Sequence, residues 1–244
     1  MMKFVGVDGC RAGWFATWRC DECYGHGLYR DLASLWNEHS NAQRILVDIP
    51  IGLTNDIPRR VEPVMRSLLG RKSSSVFPVP CKAAVYAEDY VQACEENLAH
   101  YGKKISRQAW NICRKIMEMD RFLKAFPHAV SIVGESHPEL TFSMFAGTVL
   151  NTSKKKPAGI RQRLETLSRY RPQTRLEYRH ALDAYPRKEV ARDDIVDAMI
   201  LRLAAEDVRS LNTAIEEHQT GDGDIPIRIH VPTPASLLSS PDFI

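Results

Sequence analysis

The sequence predicts an α/β protein built on a mixed sheet, three antiparallel strands followed by strands parallel to the first, with helices flanking it. Three observations carry the prediction. Short apolar runs at Phe4 to Val7, Arg44 to Ile51 and Ala129 to Gly134 have the length and content of buried strands. Each of them meets an acid at or near its end, and the stretches between them repeat apolar residues at helical spacing.

The first run stops on Asp8. An unpaired buried carboxylate costs several kcal/mol, so Asp8 is expected at the open end of the sheet. Gly9 and Gly13 bracket a turn that reads as longer than a two-residue hairpin loop, and Trp14 to Trp18 resumes with aromatic and β-branched residues suited to a second strand. Tyr24 to Tyr29 makes the third. Asp31 is placed to cap a helix carrying Leu32, Leu35, Trp36 and His39, after which Arg44 to Ile51 crosses over to lie parallel to the first strand. That crossover makes neighbours of Asp8 and Asp48. Two adjacent carboxylates repel unless one is protonated or a cation joins them.

Residues of about 56–128 read as a helical insertion within a single domain spanning 1–244. Val61, Val64, Met65, Leu68 and Leu69 share a face there, and Gly70 is placed to end that helix. The irregular stretch Arg71 to Cys81 offers Arg71, Lys72 and three serines to an anion, although solvated linkers often look the same. Two more helices, about Ala87 to His100 and Ser106 to Phe126, carry basic residues that read mostly as a solvated face. The third apolar run leads into Glu135-Ser136-His137-Pro138-Glu139, where Pro138 suits the first turn of a helix ending at Gly147. Glu139 is favoured in that turn by the helix dipole alone. Pro157 starts a helix with Ile160, Leu164 and Leu167 inside, a last long helix covers about Lys188 to Asn212, and Ile225 to Val231 is a short final strand. The tail from Ser236 to Ile244 is expected to be mobile.

At 44% hydrophobic and 26% charged residues with a net charge of +3, the chain has the composition of an ordinary globular protein. It has no apolar run of about 18 residues, and Asp8 interrupts the first strand before it could serve as a signal-peptide core. A cytoplasmic protein without a membrane partner is therefore expected, its six cysteines reduced and Cys20-Asp21-Glu22-Cys23 a hairpin tip with free thiols. Charge is distributed unevenly: Lys154 to Arg192 holds twelve Lys and Arg against four Asp and Glu. That excess is the footprint of a phosphate-backbone binder, with Lys154, Lys155, Lys156, Arg161 and Arg163 as contacts.

The last helix contains Asp193, Asp194 and Asp197 on one face, where like charges weaken a helix unless they sit in its first turn or share a cation. With Asp8, Asp48, Glu135 and Glu139, these acids arrive at element ends directed toward one sheet edge. Oxygen ligands without a Cys or His cluster favour magnesium or manganese over zinc.

VGVDGCRAGW, VDIPIGL, LGRKSSSVFPVP, ESHPELTF, SKKKPAGIRQRL and DDIVDAM resemble, in order and spacing, the marks of the bacterial and archaeal domain-of-unknown-function family 429 (DUF429), described as predicted nucleases of ribonuclease H-like fold. The final-helix pattern Asp-x-x-Asp-Ala is similar to that of RuvC-type Holliday-junction resolvases. The resemblance covers nearly the whole chain and implies a ribonuclease H-like sheet. Residue by residue, it implies that Asp8 is the first-strand acid, Asp48 the fourth-strand acid, and Asp194 and Asp197 the final-helix pair, all as Mg2+ or Mn2+ ligands. Glu135 and Glu139 match the family's E-x-H-P-E and complete the candidate catalytic set, while Ala12 stands where glycine is common. The expected activity is metal-dependent cleavage of phosphodiester bonds in DNA or RNA, with Arg11, Arg71, Lys72, Lys155, Lys156 and Arg161 as candidate substrate contacts.

Two alternatives keep the fold. Actin-like ATPases and sugar kinases also begin with a strand, an Asp-x-Gly-like turn and a hairpin that holds phosphate in backbone amides, but they need further glycine-rich phosphate turns that this chain does not have. A non-catalytic nucleic-acid-binding module is the other.

Overall fold

The computed structural model describes residues 2–21, 23–207 and 211–232. The tail from Ser236 to Ile244, expected to be mobile, lies outside the described residues. An antiparallel meander opens the chain: β1 (Lys3–Cys10), β2 (Gly13–Cys20) and β3 (Cys23–Tyr29). The β1–β2 connection is only Arg11-Ala12, shorter than the sequence suggested. Gly13, at φ +141°, makes the short turn, since a Cβ there would lie 2.1 Å from the Tyr29 carbonyl oxygen. Asp8 is therefore inside β1, opposite Phe15, rather than at the strand's end. Cys20 and Cys23 face each other at the second hairpin and are free thiols.

Asp31 caps α1 (Leu32–His39), accepting from the Ser34 amide at 2.8 Å. β4 (Arg44–Val47) then pairs parallel to β1 from Phe4 with Arg44 to Val7 with Val47. It ends before Asp48, so the expected strand to Ile51 is shorter by four residues. Between β4 and β5 the chain forms α2 (Val61–Leu69), α3 (Lys82–Val85), α4 (Tyr90–Tyr101) and α5 (Arg107–Ala125). A 3-10 turn over Gly70–Ser75 takes up the start of the stretch read as irregular. β5 covers only Val133–Glu135, because Pro127–Ser131 winds into a 3-10 turn closed by the Ala129 amide on the Phe126 carbonyl. Periodicity alone does not separate such short apolar runs.

α6 (Pro138–Ala146), α7 (Pro157–Tyr170), α8 (Thr174–Ala184) and α9 (Arg192–Glu206) follow, then β6 (Leu211–Thr220) and β7 (Pro226–Pro232). Neither α8 nor β6 was foreseen. Helix-forming residues run on past Glu206, but antiparallel pairing with β7 overrides that local preference in β6. The described residues thus form a seven-stranded sheet in the order β3-β2-β1-β4-β5-β7-β6, with antiparallel pairs at both sides and parallel strands at the centre.

The period of two along the central strands sorts their side chains between two cores. Val5, Val7, Ile45 and Val47 pack with α1 and α5, whereas Leu46 and Phe15 pack with α7 and α9. Gly6 belongs to the second face. A Cβ there would lie 2.1 Å from the Ala198 carbonyl oxygen and the Arg202 nitrogen, so glycine is what lets α9 cross directly over β1. Among the described residues no helix is long and apolar enough to cross a membrane.

Candidate active site

Asp8 and Asp48 each follow the last parallel pair, Val7 with Val47, and the Asp48 amide still donates to the Val7 carbonyl at 3.0 Å. Strand parity directs both side chains to the face covered by α9. Asp8 is buried, and its carboxyl is raised well above the ordinary range, by desolvation first and then by Asp48, Asp197 and Asp194, against the opposing charge of Lys154. Asp48 is raised by burial, with His137 and Lys154 pulling the other way.

From α9 come Asp194 and Asp197. α9 begins at Arg192, which places Asp193 and Asp194 in its first turn, where carboxylates are favoured by the dipole. Asp194 accepts from the Ala191 amide at 2.8 Å and is raised to about 6, chiefly by burial. One turn on, Asp197 has no exposed surface. The Lys154 ammonium donates to its Oδ2, while Oδ1 is buried and has no partner among the described residues. Desolvation raises Asp197 to about 7 in spite of that ion pair.

The two glutamates are held differently. Glu135, the last residue of β5, accepts at Oε2 from the Ile51 amide and from Arg59 Nη2, both at 2.7 Å. Burial nonetheless raises it to about 7. Arg59 also pairs with Glu62 at 3.2 Å. Glu139 has both oxygens on Arg163 Nη2, at 2.6 and 2.8 Å, in a pair that is buried throughout. Glu135 and Glu139 therefore line the acidic edge with their charges already answered by arginines, which sets them apart from the four aspartates.

A cleft of about 400 Å³ opens over this edge. Asp8, Asp48, Glu135 and Glu139 form its acidic side, and Lys115, Lys154 and Lys155 enter from elsewhere. Met65, Phe77 and Ile112 from the helical segment make the apolar side. Lys115 departs from the solvated face expected of α5. Its ammonium donates to the Gly13 carbonyl at 2.5 Å and lies 4.3 Å from the centre of the Trp14 ring, lowered by burial.

The candidate substrate contacts separate on this geometry. Lys155 is at the cleft, and Lys156 and Arg161 are exposed at the start of α7. Arg11 is exposed on the first hairpin turn, Arg71 is exposed, and Lys72 donates to the Thr152 carbonyl at 3.3 Å. Arg163 is no phosphate contact: it is fully buried on Glu139, and it also donates to the Gly159 carbonyl at 3.1 Å. Lys154 is spent on Asp197, and Arg171 on Glu206 at 2.5 Å, so part of the basic excess is internal compensation. Arg59, Lys115 and the role of Lys154 were missed. Arg59 meets Glu135 across 76 residues of chain, and no local pattern announces such a pair.

The fold and these residues define an α/β protein with a carboxylate-floored cleft at the carboxyl edge of its parallel strands. Residues 6–217 match the model of the family described as "Protein of unknown function (DUF429)", and the chain belongs to that family. No curated protein matches the chain, and no solved structure does.

Proposed function

We propose that this protein is a divalent-metal-dependent nuclease of ribonuclease H-like fold that hydrolyses phosphodiester bonds in nucleic acid. The carrying observation is the convergence of Asp8, Asp48, Asp194 and Asp197, from two parallel strands and the helix across them, into one desolvated group of like charges. The order β3-β2-β1-β4-β5, with the first three strands antiparallel, is the arrangement expected of that fold.

All four donors are carboxylates, which suits Mg2+ or Mn2+. As the side chains stand, no three His, Cys, Asp or Glu residues among those described form a ready-made cage. Lys154 takes the cation's part on Asp197, and the unpartnered Asp197 Oδ1 is the donor left over for an ion. Asp8, Asp48, Asp194 and Asp197 would hold it, with Lys154 withdrawn. A bound divalent ion supplies an activated water and charge neutralisation at the phosphate. Lys115 and Lys155 bring positive charge to the cleft and draw the phosphate toward its acidic floor, and Met65, Phe77 and Ile112 keep one side apolar.

The test is cleavage of single-stranded, duplex, hybrid, flap and junction substrates with magnesium or manganese. Removing an outer partner of a metal ligand typically costs about 10- to 100-fold, so Asp8→Asn should lose more than that with its fold intact. Cleavage by the variant at the wild-type rate would remove Asp8 from the site, and no cleavage of any substrate by the wild type would favour a binding module.

A further inference from the structure

We propose that a second cavity, of about 290 Å³ beside the β5–β7 junction, binds a small organic anion with a carboxylate or phosphate monoester head on an apolar body. β5 and β7 pair only at Glu135 and Ile229 among the described residues, and the cavity opens beside this short ladder. Arg44, the first residue of β4, and Arg228 and His230 of β7 stand in its wall, with Arg228 exposed.

Arg44 is half-buried, and burial alone acts on its guanidinium. No carboxylate among the described residues answers it. His230 lies against the Gly134 α-carbon, since a Cβ there would come within 2.4 Å of the ring. Its Nδ1 is buried without a partner, and both arginines add to the burial that lowers it to about 4. Arg44 thus stands beside an imidazole with an unpartnered nitrogen, an arrangement that an oxyanion would satisfy by accepting from Arg44 and from an N–H of His230. Glu135 also lines the cavity, with its Oε2 held by Arg59 and the Ile51 amide.

Leu123, Val130 and Ile225 form apolar wall. The volume falls just short of the roughly 300–1,000 Å³ typical of small-molecule sites, and is more than an inorganic ion needs. Hence the head-and-body ligand.

The experiment is calorimetric titration of the full chain, without divalent metal, using phenyl phosphate and benzoate as probes. Saturable binding of either is expected, and the one that binds tighter identifies the head group. Arg44→Gln should weaken it about ten-fold or more, the loss expected for one charge-assisted hydrogen bond. Arg44→Lys should keep part of it, and Asp8→Asn should leave it unchanged, because Asp8 does not line this cavity. If neither probe binds at millimolar concentration, or if Arg44→Gln binds as wild type does, the proposal is overturned. Should Arg44→Gln fail to fold, His230→Phe, which keeps the ring's bulk without its nitrogens, carries the same test, and undiminished binding overturns it.

Discussion

Lys154 donates its ammonium proton to Oδ2 of Asp197, a fully buried carboxylate 43 residues away in the chain. The pair links the loop before α7 to the second turn of α9, beneath the cleft that Lys154 lines. It holds part of the negative charge of the four aspartates in check, and in the proposed nuclease it must open for a metal to enter.

Replacing Lys154 by Met should therefore destabilise the protein above about pH 7, where it strands a buried carboxylate, and progressively less as Asp197 takes up a proton at lower pH. Breaking a buried pair costs about 3–5 kcal/mol, but the Lys154 side chain keeps 29% of its surface exposed, so a loss at or below the lower end is expected. Adding Asp197→Asn should restore most of it. Urea unfolding of the two single variants and the double variant measures this coupling, and strictly additive losses would show that the pair contributes nothing.

Gly6→Ala should cost at least the roughly 1–3 kcal/mol typical of overpacking, since the new methyl meets the α9 backbone rather than a movable side chain. It should also lower metal-dependent cleavage, by lifting Asp194 and Asp197 away from Asp8. The checks are the thermal midpoint and the rate. Unchanged values for both would mean that α9 does not depend on this close approach.

The acidic cluster should make stability depend on pH with a definite sign. Asp197 and Asp194, at about 7 and 6, bind protons more tightly in the folded state than the roughly 4 of an unfolded aspartate. Their contribution is fully present below about pH 4 and is lost as pH rises through their folded values. His39 and His230, lowered to about 3 and 4, act in the opposite sense over part of that range. The informative quantity is thus the stability of wild type minus that of Asp197→Asn, which should fall between about pH 4 and 7. A flat difference would contradict the raised Asp197.

Binding to nucleic acid should weaken with salt through the exposed cations of the Lys154 to Arg192 segment. Each phosphate contact on duplex DNA contributes about −0.9 to the logarithmic salt slope. Replacing Lys155, Lys156 and Arg161 by Gln should make the slope shallower by up to about 2.7, with a melting midpoint close to that of wild type. An unchanged slope would assign these residues to solvation and shift the path toward Arg71 and Lys72.

The sequence by itself determined the alternation of strands and helices, an aspartate after each of two apolar runs, and an acidic start to the last helix. Those features are local, whereas the meeting of the four aspartates belongs to the fold. Asp8 and Asp48 each follow an apolar run, and parity along a strand sets which face they take. It also located the start of α7 at Pro157 and the cap of α1 at Asp31, where single residues set the backbone. Only the tertiary structure decided what answers each charge. The Arg59–Glu135, Arg163–Glu139 and Lys154–Asp197 pairs join segments distant in sequence, so Arg163 read as a surface cation when it is a buried counter-ion. β6 shows the same limit, because its strand exists through pairing with β7 and not through its own composition. Gly6 was visible as a glycine within a strand, but the reason for it, a helix backbone 2.1 Å from where its Cβ would be, exists only once α9 has folded across the sheet.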